Sequence, residues 1–128
     1  MLAAVSDRPA YSIVLSTFPD AEAAGRVARA LVEEGLAACV SVVPGVRSFY
    51  RWRGSIEESE EVLIIAKTTS AALGELIRRV RELHPYELPE IISVDASGGL
   101  PEYLSWISES VRPDLRGGRA PDRAREAF

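Results

Sequence analysis

Residues 37–52 read as extended chain over far more than the about five or six residues of an ordinary strand. The only interruption is Pro44-Gly45, which suits a bulge in a continuing strand better than a turn. Arg53-Gly54-Ser55 then offers a hairpin reversal, and residues 60–69 (EEVLIIAKTT) return as a strand that is apolar on both faces. A ribbon this long projects beyond its own domain. Its unpaired edges invite aggregation unless another chain pairs with them, so the pattern predicts a symmetric oligomer built by strand addition. The competing arrangement folds the hairpin back onto its own sheet at Pro44-Gly45.

The remaining elements follow from periodicity and punctuation. Residues 11–17 (YSIVLST) are rich in strand formers and stop at Phe18-Pro19-Asp20, where proline cannot donate to a ladder and Asp can cap a helix. Ala24, Val27, Ala28, Leu31 and Val32 mark one buried helical face, closed by Gly35. A second helix follows Ser70, with Leu73, Leu76, Ile77, Val80 and Leu83 on one side, and Pro85 pushes His84 out of helical geometry. Residues 90–95 form a short strand, and Pro101 opens a third helix carrying Tyr103, Leu104 and Ile107. The order β-α-β-β-α-β-α defines an α+β, ferredoxin-like split βαβ unit: one antiparallel sheet with helices on one face. The domain runs over residues 1–111, and residues 112–128 read as a mobile tail with five Arg against Asp114, Asp122 and Glu126.

Composition narrows the function classes. The formal net charge of -4 argues against a backbone-reading nucleic-acid binder, which needs a basic surplus. No stretch approaches the about 20 apolar residues of a spanning helix, and from the first residues, MLAAV, no export signal is expected. One cysteine, Cys39, permits neither an internal disulfide nor a multi-thiolate zinc site and fits a reducing compartment, so a cytoplasmic location is expected. The chain has no Asn and no Gln, and uses fourteen Arg but one Lys. That points to heat adaptation, or to a GC-rich genome. Without a nucleophile elbow, a P-loop or a dinucleotide turn, and with a single His, the chain is expected not to be an enzyme.

Three segments resemble the CutA family of divalent-cation-tolerance proteins: residues 36–40 (LAACV), residues 44–58 (PGVRSFYRWRGSIEE) and residues 84–91 (HPYELPEI). The closing YLSWI, residues 103–107, matches as well. The resemblance covers residues 11–111 and implies a homotrimer similar in outline to the PII signalling trimers, with intermolecular strand pairing. It also implies metal-ion tolerance, copper binding and a part in the response to metal ions. Of the family's proposed copper ligands only His84 is kept, since Ser16 stands in the Cys position and Leu83 replaces the first His. The loss of a thiolate and an imidazole predicts weak copper binding.

The residues themselves mark two groups. His84 and Glu87 are the candidate metal ligands, with no obligatory cofactor and Cu2+ or Zn2+ as the possible ion. In polyproline II geometry, residues three apart lie about 9 Å apart along the axis, so a complete shell needs a second chain. Lys67, Tyr86, Glu90, Glu61 and Trp52 are expected to line an intersubunit ligand cleft. Lys67 shares strand parity with Glu61, Leu63 and Ile65 and wants a carboxylate or an anionic ligand. Two functions follow as expectations: a trimer that binds divalent cations, or a PII-like sensor or adaptor that holds a small anion against Lys67. The partners are then further copies of the chain and a small ligand, with neither nucleic acid nor membrane.

Overall fold

Pro19 ends the first strand, and the Asp20 carboxylate accepts the Ala23 N–H at 2.8 Å, capping the helix that follows. The computed structural model describes residues 10–117. They form β1 (Tyr11–Phe18), α1 (Ala21–Glu33), β2 (Cys39–Trp52), β3 (Ser55–Thr69), α2 (Leu73–Leu83), β4 (Ile91–Asp95) and α3 (Pro101–Ser110). Helix α1 buries Ala24, Val27, Ala28 and Leu31 as its periodicity marks, together with Ala23, whereas Val32, expected on the same face, is 45% exposed because at 100° per residue it has turned to the rim of the stripe. It is stopped by Gly35 at φ +71°. A Cβ there would meet the Arg112 side chain at 2.5 Å, so both the turn and the close passage of the C-terminal segment require glycine.

The strands lie in the order β2-β3-β1-β4, each neighbour antiparallel, which is the expected split βαβ arrangement. Helices α1 and α2 cover the face that carries Val14, Phe18, Val62, Ile64 and Ala66, and α2 adds Leu76 and Val80. Fully burying a side chain such as Phe18, Ile64 or Leu76 stabilises the fold by about 1.5–3 kcal/mol. Helix α3 lies against the opposite face at one end of the sheet. There Ile107 packs with Tyr11 and Ala38, and the Tyr11 hydroxyl is hydrogen-bonded to Ser108 at 2.7 Å. The rest of that face is open: by strand alternation it carries Ile13, Leu15, Leu63, Ile65, Ile92 and Val94, and Ile92 is 53% exposed.

Two boundaries differ from expectation. Strand β3 begins at Ser55 rather than Glu60, because a continuous ladder with β2 overrides the weak strand preference of the Glu-rich segment. Packing also runs past residue 111. Leu115 is buried in the helix-side core, the Thr69 hydroxyl donates to the Leu115 carbonyl, and Arg112 pairs with Glu75 at 2.8 Å. Residues 112–117 of the expected mobile tail are therefore packed against the domain, and its residues 118–128 lie outside the described residues.

The Pro44-Gly45 interruption is a bulge, and it decides which side chains share a face. Val43 lies opposite Leu63 and Val46 opposite Glu61, so β2 advances one residue more than β3. Gly45 supplies φ +75°. One extra residue reverses the facing of everything beyond it. As a result Tyr50 lies opposite Glu57 and Trp52 opposite Ser55, on the open-face side with Glu61. In-step pairing would have placed Phe49 and Arg51 there.

Candidate functional site

Strand β1 stops at Phe18, opposite Val62, while β2 and β3 continue as a two-stranded ribbon. The inner edge of residues 55–61 is thus unpaired among the described residues. A cleft of about 960 Å³ opens there, between the ribbon and residues 86–90. Its ribbon wall carries Tyr50, Trp52, Glu57 and Glu61, and its other wall carries Tyr86, Glu87 and Glu90.

Three hydrogen bonds fix the second wall. The Ser16 hydroxyl donates to the Glu90 carbonyl at 2.6 Å. His84 Nε2 donates to the Thr17 carbonyl at 2.8 Å, and the Tyr86 hydroxyl donates to Glu61 Oε2 at 2.7 Å. Glu61 is only 7% exposed, an unusual place for a carboxyl group, and Tyr86 covers it. Burial, then the hydrogen bond to Glu61 and its negative charge, push the Tyr86 phenol well above its ordinary value, so it remains a donor. Among the described residues none of Glu57, Glu61, Glu87 and Glu90 is in an ion pair. Among the described residues the one cation in the lining is Arg51, which strand alternation assigns to the opposite face from Tyr50 and Trp52. The cleft is aromatic and anionic, suited to a cation.

The expected site residues divide. Glu61, Tyr86, Glu90 and Trp52 do meet in one cleft, joined by Glu87. Lys67 does not. It is six residues from Glu61 along β3, roughly 20 Å at strand rise, and its ammonium donates to Ser41 Oγ at 2.6 Å. Parity placed Lys67 on the correct face, but its distance along the strand removes it from the cleft.

His84, a candidate metal ligand, has both ring nitrogens engaged within the protomer. It is stacked on Phe18 with ring centroids 4.2 Å apart, and its Nδ1 accepts the Tyr86 N–H at 3.2 Å. With Nε2 held by Thr17, both nitrogens are engaged and the imidazole is the neutral Nε2–H tautomer. Burial lowers its pKa, opposed by the Thr17 carbonyl and by the charge of Glu61. Among the described residues no three of His, Cys, Asp and Glu come together as a metal shell. The available donors are carboxylate oxygens, which suit hard divalent ions better than copper. Tyr50 and Glu57 also line the cleft; the Pro44-Gly45 signal that places them is visible in the sequence, but its effect on facing needs the register.

A ferredoxin-like sheet carrying this ribbon and this pinned HPYELPE wall defines a narrow class. The family model for the CutA1 divalent ion tolerance protein matches residues 12–110. The chain belongs to the CutA1 family. It is 49% identical over 99 residues to the divalent-cation tolerance protein CutA of Thermus thermophilus, covering 77% of this chain and 96% of that one. The crystal structure of CutA from Xylella fastidiosa superposes with a TM-score of 0.78 at 45% identity, covering 80% of this chain and 98% of that one. A structure from Archaeoglobus fulgidus, named a periplasmic divalent cation tolerance protein, superposes with a TM-score of 0.77 at 38% identity over 80% of this chain and 99% of that one. The family is therefore not confined by name to the cytoplasm expected from Cys39. No described helix is long and apolar enough to cross a membrane.

Proposed function

We propose that the chain is a non-enzymatic homotrimer of the CutA type, in which divalent cations bind at the acidic cleft as part of a response to metal ions. The observation that carries the cation reading is Glu61: a carboxyl group covered by the Tyr86 hydroxyl, in one cleft with Glu90, and with no ion-pair partner among the described residues. Burying such a group costs several kcal/mol unless it is compensated, and a bound cation offsets that cost. Glu61 and Glu90 would hold the ion, with Glu57 and Glu87 adding negative potential. Further ligands come from a second copy or from water, because one protomer closes no shell.

The trimer reading rests on the open face and the ribbon. Exposed Ile92 and Val94 on a half-open apolar face, with unpaired edges along β2 and residues 55–61, form a surface that further copies of the chain would cover. The alternative of a small anion in this cleft lacks its counter-charge, since Lys67 lies elsewhere on the sheet. Isothermal titration of Mg2+, Zn2+ and Cu2+ into wild type and Glu61→Gln tests the cation reading. The expected outcome is saturable binding by wild type, copper showing no advantage over zinc, and a loss of about ten-fold or more in Glu61→Gln. Absence of saturable heat with all three ions would contradict it.

A further inference from the structure

Lys67 carries a positive charge that its own protomer leaves unanswered. On the open face it lies level with Ile13 on one flanking strand and Cys39 on the other, with Ile65 beside it along β3. The side chain is half-buried, and its ammonium donates to Ser41 Oγ at 2.6 Å. Ser41 is neutral and an ammonium group has three protons to give, so this bond leaves the charge uncompensated. Among the described residues Lys67 is in no ion pair. A further copy laid over this apolar surface strips water from the ammonium, which is costly unless the copy brings a negative charge with it.

The ribbon carries the complement. Beyond Phe18 it runs on past its own sheet, and its return limb bears Glu57, Glu58, Glu60 and Glu61. Strand alternation puts Glu58 and Glu60 on the helix side, and Glu58 is already paired with Arg47. Glu61 is buried and accepts the Tyr86 hydroxyl. That leaves Glu57, exposed, on the open-face side opposite Tyr50, and in no ion pair among the described residues. Within one chain Glu57 and Lys67 stand ten positions apart on β3, roughly 33 Å at strand rise, so they meet only between copies.

We infer that the Lys67 ammonium takes the Glu57 carboxylate from the ribbon of an adjoining copy, each copy supplying half of a charge pair to the next. This rests on the homotrimer reading and deepens it by naming the residues that fix which part of one copy meets which part of another. The contact joins two different surfaces, a sheet face and a ribbon, and a heterologous contact of that kind closes into a ring when its rotation allows. A charge pair desolvated in such an interface fixes register and suppresses wrong pairings. The carboxylates given to a divalent cation, Glu61 and Glu90, are not used by it.

The single Lys of the chain makes the pair directly readable. A zero-length carbodiimide joins a carboxylate to an amine only where the two are in contact. In the wild-type assembly, peptide mass spectrometry is expected to find Lys67 joined to Glu57, in products of two and three chain masses. Lys67→Glu and Glu57→Lys should each raise the dissociation constant of the assembly about a hundred-fold, read by light scattering over a dilution series. The double variant should return to within about ten-fold of wild type, a rescue that a merely structural role of Lys67 does not produce. Should a reversal fail to fold, the cross-link reads the same contact without any substitution. A wild-type trimer in which Lys67 joins another carboxylate, or a double variant no tighter than the single ones, overturns the inference and leaves the trimer standing. Assembly that depends on added acetate or phosphate assigns the ammonium to a free anion and overturns it as well. A wild-type species of one chain mass that persists on concentration removes the trimer reading and the pair with it.

Discussion

The two faces of the sheet are made from the same strands but solve different problems. On the helix side the core is closed: Val14, Phe18, Ile64, Leu76 and Val80 are sealed, and Thr68 is satisfied by its 2.7 Å bond to the Leu36 carbonyl. On the other side Ile92 and Val94 face outward, the ribbon has free edges among the described residues, and the buried Glu61 carboxyl group has no ion-pair partner among them. The first face completes the protomer. The second needs something from outside it. Stability is therefore expected to be concentrated on one side and function on the other.

Several substitutions can break that division. Phe18→Ala should be the most damaging, because it empties a fully buried site and unstacks His84; a loss of about 3–5 kcal/mol is expected, read by denaturant unfolding. Tyr86→Phe removes the hydrogen bond that covers Glu61 and should lower stability by about 1–3 kcal/mol, and a bound divalent cation should restore part of it. Gly45→Ala meets no atom within 4 Å, so its cost is the backbone strain of φ +75° alone, about 1–2 kcal/mol by thermal melting. A larger loss there would show that the bulge tolerates no backbone adjustment.

The smallest effect concerns pH. Burial holds the folded-state pKa of His84 below its ordinary 6.5, while the unfolded chain takes up that proton near 6.5. The folded state thus binds fewer protons than the unfolded state in the window beneath 6.5. This contribution to stability is whole above pH 6.5 and is lost as pH falls through the lowered folded value. Melting midpoints followed from pH 7.5 to 5 should fall more steeply in wild type than in His84→Phe, which keeps a ring on Phe18 and cannot titrate.

How much of this was legible in the sequence depended on the range of the interaction involved. Asp20, Gly35 and the spacing of Leu73, Leu76 and Val80 act within a few residues, so caps, stops and helix faces were readable directly. The overlong ribbon was readable too, but its acidic return limb, residues 55–59, was not. Glu and Ser disfavour strands, and only the partner ladder makes them one. The cleft was half visible. HPYELPE announces a wall, yet which ribbon residues face it depends on the facing reversal at Gly45, a pairing property that no single segment reveals. Lys67 and His84 misled for a shared reason: scarcity of a residue type says that the position is special, not what the residue touches. Lys67 meets Ser41, and His84 meets two backbone groups and a phenyl ring.

The claim on which the rest depends is that the open face and the ribbon are completed by further copies of the chain. Multi-angle light scattering at micromolar protein measures this directly. The account predicts a single species of three times the 13.9 kDa chain mass, whereas a species of one chain mass that persists on concentration would contradict it.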